Sequence, residues 1–244
     1  MIRFVPLAGS CVPARLALAI AFAALSTTAQ AQSFTDGAFT TGWTQATYVN
    51  PYGCSGGSLN PVSSGGNPDG YLHVSDYSCG FVHNANLSPF TWNPSTQGAI
   101  TSVSFYSDVS AAGAMAFLTV LRQNNSYFVR SLTYAYAADG WLAFNAPETN
   151  TAWCNLYATW SAGGNFNCGS AQVDFTTTGG TIEFGIASAN SGGSAYSADG
   201  GIDNFNVTLT TIPAVVAAPE PASLLLLSTG MMGMLGVVRR RHRR

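Results

Sequence analysis

The sequence predicts an all-β fold, an antiparallel β-sandwich of the jelly-roll type, with an N-terminal signal peptide and one short C-terminal transmembrane helix. Hydrophobic residues in the middle of the chain alternate with period two. Clusters of glycine, asparagine, proline and serine interrupt this alternation at short intervals, and no sustained amphipathic helix separates them. Many short alternating segments with frequent turn signals are typical of sandwiches and jelly rolls.

The alternation is clearest just after residue 100. Val103, Phe105 and Val109 share one face of an extended segment, whereas the residues between them are mostly serine, tyrosine and aspartate. The same pattern predicts further strands at 115–121, 127–136, 141–145, 181–188 and 205–210.

The N-terminal segment 1–31 has the features of a secretory signal peptide. Arg3 and Arg15 supply positive charge before an apolar core at 16–25, and Ala29 and Ala31 form an A-x-A cleavage site. We expect cleavage before Gln32, so that the rest of the chain is exported.

The C-terminal segment 218–244 has three parts in a fixed order. Pro219, Glu220 and Pro221 form a stiff, extended triplet, because proline fixes φ and restricts the preceding residue. The uncharged run 222–238 is close to the lower limit of about 17 residues for a membrane-spanning helix. An arginine-rich end follows, and such basic clusters remain on the cytoplasmic side.

This order of parts resembles the PEP-CTERM sorting signal of bacterial exported proteins, with Ala218 where valine is more usual. The resemblance implies that a membrane-embedded exosortase cuts near the triplet, after the tail has entered the inner membrane transiently. It also implies delivery of the passenger to the cell surface or the extracellular matrix. An ordinary tail anchor is the alternative.

Between the two terminal segments lies one passenger domain, 32–211, followed by a linker, 212–217. Two arginines against ten acidic residues give the passenger a formal charge of −8, which the whole-chain value of −2 conceals. A surface of this charge repels nucleic acid and anionic lipid headgroups, so both are excluded as partners. Polyanionic glycans would need bridging cations.

The passenger contains four cysteines, an even number that suits an oxidising compartment. Three pairings are open, and proximity in sequence favours Cys54–Cys79 and Cys154–Cys168. A zinc site is the alternative, but the passenger has no C-x-x-C motif and its histidines are not at zinc-finger spacing.

Three pieces of the passenger carry a second resemblance. The run G-G-N-P-D-G-Y-L at 65–72, followed by Asp76, is similar to a stretch of laminin IV type A (laminin B) domains. The opening D-G-A-F at 36–39 looks like the first strand of extracellular sandwich modules. The closing I-D-N-F at 202–205 is similar to the closing pattern of the laminin family, while Asp69 replaces a usual glycine. The resemblance implies a jelly-roll sandwich related to carbohydrate-binding modules, with an adhesive or matrix-forming role.

The passenger shows no clear catalytic constellation. Glu148 and Glu183 are its only glutamates, and both are expected to be solvated surface acids. His73 is expected on a polar strand face, and His83 in a surface hydrogen bond. We therefore expect a protein that is not an enzyme; a glycoside-active enzyme is an alternative.

A loop rich in aromatic and amide side chains is the predicted glycan site. Trp153, Tyr157 and Trp160 lie there with Asn155. Aromatic rings pack on the C–H face of a sugar, and tyrosine and tryptophan add a polar handle. Two other tryptophans are instead expected to pack in the sandwich core, Trp43 and Trp141.

Structural calcium is the one cofactor that the sequence suggests. Asp203 shares an alternation phase with Phe205, Val207 and Leu209, so we expect it to face the core. An inward carboxylate needs a partner, either a backbone amide or a calcium ion shared with Asp36.

The sequence therefore predicts an exported, single-domain β-sandwich that binds extracellular polysaccharide without catalysis. A purely structural matrix or adhesion protein is the alternative, and saturable sugar binding distinguishes the two.

Overall fold

Antiparallel strands form nearly all of the regular structure in the computed structural model. The residues that the structure describes are 28–40, 42–49, 56–149, 152–155, 172–191 and 195–214. They contain two six-stranded sheets, so the predicted β-sandwich is confirmed.

Sheet A contains β1 (Gln30–Asp36), β3 (Gly56–Val62), β4 (Tyr71–Ser78), β6 (Ala99–Ala112), β9 (Leu142–Thr149) and β12 (Tyr196–Ile212). The strand order is β3-β4-β12-β6-β9. The long strand β12 pairs with β4 through its first half and with β1 through its second half, while β6 follows its other edge.

Sheet B contains β2 (Thr44–Val49), β5 (Phe81–Trp92), β7 (Ala114–Gln123), β8 (Ser126–Tyr136), β10 (Cys154–Asn155) and β11 (Ile182–Ser191). The strand order is β10-β8-β7-β11-β5-β2. A four-residue helix, α1 (Pro94–Gln97), connects β5 to β6. Asn93 is the N-cap of this helix, and its side chain accepts a hydrogen bond from the Ser95 amide at 3.0 Å.

The core lies between the sheets and is built from the faces that the alternation predicts. Val103, Phe105 and Val109 of β6 are buried as expected. The Phe105 ring centroid lies 6.4 Å from those of Phe184 and Phe205. The other predicted strands correspond to β7, β8, β9, β11 and the second half of β12.

The outer face of sheet B carries a second apolar cluster, and this changes the environment of His83. The cluster includes Ala85 and Leu87 of β5 and Ala187 of β11. His83 lies on the same face, opposite Ala189, and is fully buried. The expected surface position of His83 is therefore wrong, because β5 carries buried side chains on both faces.

The two glutamates behave differently from each other. Glu183 is partly exposed and forms a salt bridge with Arg122 at 3.0 Å, as a surface acid should. Glu148 is only 4% exposed, because β9 continues through it and places it opposite Val103. Its carboxylate binds Arg130 at 2.8 Å, so the expected solvated position of Glu148 is wrong.

The predicted terminal segments fall mostly outside the described residues. Strand β1 begins at Gln30, two residues before the predicted cleavage point. Residues 1–27 and 215–244 are not described, so the signal peptide and the C-terminal transmembrane helix stay predictions. Within the described ranges, no helix combines the length and apolarity that crossing a bilayer requires.

A small polar cluster is buried between the sheets around Asp76, which is 1% exposed. Its Oδ1 accepts hydrogen bonds from Asn84 Nδ2 at 2.5 Å and from Ser188 Oγ at 2.9 Å. Its Oδ2 has no hydrogen-bond partner among the described residues. Burial raises the pKa of Asp76 to about 6, against the lowering effect of the two hydrogen bonds, and the charge of Asp199 adds to the rise.

These buried groups predict two opposing effects of pH on stability. The pKa of Asp76 rises from 3.8 to about 6 on folding. Its contribution to the free energy of unfolding therefore falls by roughly 3 kcal/mol as the pH rises through that range. Burial lowers the pKa of His83 from 6.5 to about 4, so its contribution falls as the pH drops through that range.

Asp76→Asn should therefore make stability rise more steeply from pH 4 to 6, whereas His83→Gln should make it fall over the same range. Denaturant unfolding at pH 4, 5, 6 and 7 measures both slopes. The comparison uses slopes, since each substitution also shifts stability by a constant amount. Two variants with the wild-type pH profile would contradict the assignment.

Candidate functional site

The structure separates the residues of the predicted aromatic loop. Trp153 is fully buried, with its ring between those of Phe105 and Phe175 at 6.3 and 6.4 Å. A ring without exposed surface cannot stack on a sugar, so the assignment of Trp153 to a glycan site is wrong. Asn155 is partly buried in β10. Tyr157 and Trp160 lie outside the described residues and stay predictions.

A β-bulge in β12 changes the position of Asp203. The register against β6 shifts between Asp203 and Asn206, so the residues on either side of the bulge follow different phases. Asp203 pairs directly with Asp108, which lies on the outer face of sheet A. The expectation that Asp203 faces the core is therefore wrong, although its side chain is fully buried.

The segment between β3 and β4 buries Asp203 from outside the sheet. The Asp203 carboxylate accepts hydrogen bonds from the Asn67 amide and, at 2.6 Å, from the Asn204 amide. Gly66 is required here, since a Cβ would lie 2.5 Å from Asp203 Oδ2. Asp69, which replaces a usual glycine, has φ 66° and so keeps the left-handed conformation that glycine favours.

Asp108 completes this arrangement, which we call the loop anchor (Asn67, Asp108, Asp203 and Asn204). Asp108 Oδ2 accepts hydrogen bonds from Asn204 Nδ2 at 2.8 Å and from Asn67 Nδ2 at 3.4 Å. Its Oδ1 accepts a bond from the Tyr106 hydroxyl at 3.0 Å. Amide and hydroxyl donors therefore compensate two facing carboxylates and hold the loop on the sheet.

Asp36 has a separate role at the end of β1. Its Oδ1 accepts hydrogen bonds from the Ala38 and Phe39 amides, at 3.1 and 2.8 Å. Its Oδ2 accepts a bond from Trp43 Nε1 at 2.8 Å. The Trp43 ring packs edge-on to Phe205 at 5.0 Å, so Asp36 fixes a ring that closes one end of the core.

Calcium at Asp36 and Asp203 stays a prediction. The register places Asp36 opposite Phe205, two positions from Asp203. Both carboxylates accept hydrogen bonds from backbone amides, which is one of the two partners expected for Asp203. In the described part of the chain, histidine, cysteine and acidic side chains form no group of three that could hold a metal ion.

A groove on the outer face of sheet A brings together side chains suited to a sugar. We call it the Trp141 groove and define it by Tyr71, His73, Ser110, Trp141 and Asp199, which line it with nearby small residues. These side chains come from β4, β6, β12 and the residue just before β9.

Strand register explains why these residues meet. Gly201 of β12 pairs with His73 on one side and with Ser110 on the other. Since Gly201 has no side chain, the Trp141 ring reaches over β12. A Cβ on Gly201 would lie 2.5 Å from Trp141 Cη2 and 2.9 Å from Tyr71 Cδ2. Tyr71 meets the Trp141 ring edge-on, with the centroids 5.5 Å apart.

The polar part of the groove is a histidine–aspartate pair. His73 Nε2 lies 3.4 Å from Asp199 Oδ1, and the Asp199 side chain is 56% exposed. The partly exposed position of His73 confirms the polar strand face expected for it. The groove thus offers two aromatic rings, one carboxylate, one imidazole and the Ser110 hydroxyl.

The sequence does not predict this groove, and the expected position of Trp141 in the core is wrong. Trp141 is partly exposed at the groove. Trp43 is partly buried and packs against the core as predicted. Gly201 is a sequence signal for this site, because a glycine inside a strand indicates that another group approaches the backbone closely.

A second aromatic surface lies on sheet B, at a pocket lined partly by alanines and by Tyr134. Tyr134 and Tyr136 are 55% and 51% exposed. This pocket has no charged side chain in its lining, so it lacks the polar chemistry of the Trp141 groove.

Comparisons with known proteins bear on the C-terminus and on the fold. Residues 217–244 match the PEP-CTERM protein-sorting motif, which confirms the resemblance of the C-terminal segment. The C-terminus is therefore a sorting signal of an exported protein. A search of curated proteins gave no match to the chain.

Solved structures that resemble the chain include carbohydrate-binding modules. The family 11 module from Clostridium thermocellum, in complex with a β-1,3-1,4-mixed-linked tetrasaccharide, is 11% identical. The alignment covers 72% of this chain and 94% of that one, with a TM-score of 0.42. The mannan-recognising module TmCBM27 is 10% identical over 75% and 99% of the two chains, with a TM-score of 0.41. At these scores the likeness says nothing about the ligand of this chain.

Replacement of Trp153 and of Trp141 by alanine should lower the free energy of unfolding by different amounts. Trp153→Ala should lower stability by about 3–5 kcal/mol, because it leaves a large cavity in the core. Trp141→Ala should lower it by about 1–2 kcal/mol, since part of the ring already faces solvent. Urea denaturation of both variants tests this. A larger loss for Trp141→Ala would contradict the placement of the two rings.

Proposed function

We propose that this chain is an exported, non-catalytic glycan-binding protein, and that the Trp141 groove is its binding site. The observation that supports this most directly is the position of the Trp141 ring. It borders a groove that also contains Tyr71 and the His73–Asp199 pair. Aromatic surface combined with a few fixed polar groups is the usual composition of a small-ligand site.

Each part of the groove has a distinct role in this proposal. Trp141 and Tyr71 provide apolar surface for the C–H face of a sugar ring. His73, Asp199 and Ser110 provide hydrogen-bonding groups for its hydroxyls. The loop anchor fixes the wall on the Gly65 side, because it holds the loop on sheet A.

The acids near the groove support binding without glycoside hydrolysis. Glycosidases use two carboxyl groups on either side of the scissile bond. Asp199 is the single carboxylate that lines the groove among the described residues. Glu148 and Glu183 lie elsewhere and each binds an arginine.

We also propose the export route that the two ends of the chain suggest. The signal peptide would direct secretion, and exosortase would process the C-terminal signal near Pro219-Glu220-Pro221. Delivery to the cell surface or the extracellular matrix would follow. The disulfides Cys54–Cys79 and Cys154–Cys168 would form on this route, because secretion exposes the chain to an oxidising compartment.

Glycan retention tests the binding proposal. The exported protein, purified in detergent, should bind at least one neutral glycan saturably, and Trp141→Ala should weaken this binding at least about tenfold. Gly201→Ala should have a similar effect, because its methyl group occupies the space of the Trp141 ring. Glycan-array screening followed by titration calorimetry measures both effects.

Tyr134→Ala is the matched control, since it removes an exposed aromatic ring on the other sheet. It should leave affinity unchanged, and all variants should retain a cooperative thermal transition. A chain that binds no sugar saturably would instead be a structural matrix protein. Loss of binding in Tyr134→Ala alone would move the site to sheet B.

Processing tests the sorting proposal. Replacing Pro219, Glu220 and Pro221 by alanine should leave the full-length chain in the membrane fraction of the native host. Pro213→Ala, which changes a proline outside the triplet, should be processed normally. Immunoblots of the membrane and extracellular fractions measure both. Normal processing of the triplet variant would refute the assigned recognition element.

A further inference from the structure

The charge distribution of the groove points to a class of sugar. We infer that the Trp141 groove selects glycans whose rings carry a free, protonated amine, over N-acetylated and over acidic sugars. This inference rests on the proposed glycan binding and adds a ligand class to it. It is carried by the placement of Asp199 beside two aromatic rings, on a face that lacks lysine and arginine.

The first observation is the absence of cations from the strands of sheet A. Its six strands contain no lysine or arginine in the described ranges. The two described arginines, Arg122 and Arg130, lie on β7 and β8 of sheet B. Each forms a salt bridge with a glutamate, at 3.0 and 2.8 Å. Neither is therefore an unpaired cation on the groove face.

The second observation is the position of the Asp199 carboxylate. It lines the groove, is 56% exposed, and lies 3.4 Å from His73 Nε2. A neutral imidazole can donate one hydrogen bond to this carboxylate without cancelling its charge. The carboxylate therefore remains an anionic partner for a ligand, with one oxygen oriented by the histidine.

The third observation is the aromatic pair next to this carboxylate. Trp141 and Tyr71 line the same groove, and tryptophan is the best aromatic partner for an ammonium group. A carboxylate together with aromatic rings is a combination suited to organic cations. A neutral sugar uses the rings alone, whereas an amino sugar also gains the ion pair with Asp199.

Two further carboxylates lie on the same face. Asp203 is two residues from Gly201, and Asp108 is two residues from Ser110, about 7 Å along the strands. Amide and hydroxyl groups hold both carboxylates, and none of these donors carries a positive charge. The face thus keeps its negative charge, which repels uronic acids and attracts ammonium groups.

The test compares three matched probes: a glucosamine oligomer, the same oligomer fully N-acetylated, and an oligogalacturonate. Calorimetry on the exported protein at pH 7 and low salt, above the ordinary titration range of histidine, should give about tenfold tighter binding of the free-amine oligomer than of the acetylated one. Oligogalacturonate should bind more weakly than either. Added salt should reduce the preference for the amine, because the ion pair is partly exposed.

Asp199→Asn should bring the two glucosamine oligomers to similar affinity while keeping the binding of the acetylated oligomer. Asp174→Asn is the matched control and should preserve the preference. Asp174 lies in a turn whose Phe175 carbonyl accepts a hydrogen bond from the Ile100 amide. It is therefore about 30 Å along β6 from Ser110.

The outcomes separate this inference from the proposed function. Equal binding of the two glucosamine oligomers by the wild type would overturn the amine selectivity and leave sugar binding intact. Tighter binding of oligogalacturonate would do the same. Failure to bind any glycan at all would overturn the proposed function itself. A preference that survives in Asp199→Asn would show that this carboxylate does not recognise the amine.

Discussion

The burial of the Asp203 carboxylate under the loop between β3 and β4 is the constraint on which the outer face of sheet A depends. Asp203 faces Asp108 directly across two antiparallel strands, an arrangement that is unfavourable for like charges. The loop supplies two of the compensating donors, both from Asn67, so its position and the pairing of the two strands depend on each other. The fixed loop then provides one wall of the Trp141 groove. Local charge compensation thus shapes a surface several residues away.

Most of the fold could be predicted because burial of one sheet face imposes a strict period of two. The alternation around Phe105 correctly identified the inner face of β6 and the further strands of both sheets. The failures occur where this rule breaks. The bulge after Asp203 shifts the phase within a single strand, so the inward pattern of Phe205 and Val207, correct after the bulge, gives the wrong direction for Asp203 before it. The exposed positions predicted for His83 and Glu148 are wrong, because both side chains are buried where a sheet with one solvent-facing side would leave them exposed.

The candidate site was harder to predict, since its residues meet only through strand order. Tyr71 and Trp141 are distant in sequence, and β12, the last of the strands in the described residues, lies between β4 and β6. Aromatic composition alone favoured the loop around Trp153, because nothing in the sequence distinguishes a core ring from a surface ring there. What distinguishes Trp141 is Gly201, over which its ring lies, and the sequence does not show that these two residues meet.

The chemistry of the loop anchor also explains why the groove face keeps its negative charge. A buried carboxylate can be stabilised by a cation or by neutral hydrogen-bond donors. A cation cancels its charge, whereas neutral donors leave a negative electrostatic potential at the nearby protein surface. Arg130 provides the first solution for Glu148, which is thereby neutralised within the sandwich. Asp108 and Asp203 receive the second, from amides and one tyrosine hydroxyl. Neutral donors satisfy hydrogen bonds without cancelling charge, so the same contacts that hold the loop also preserve an anionic surface beside Asp199.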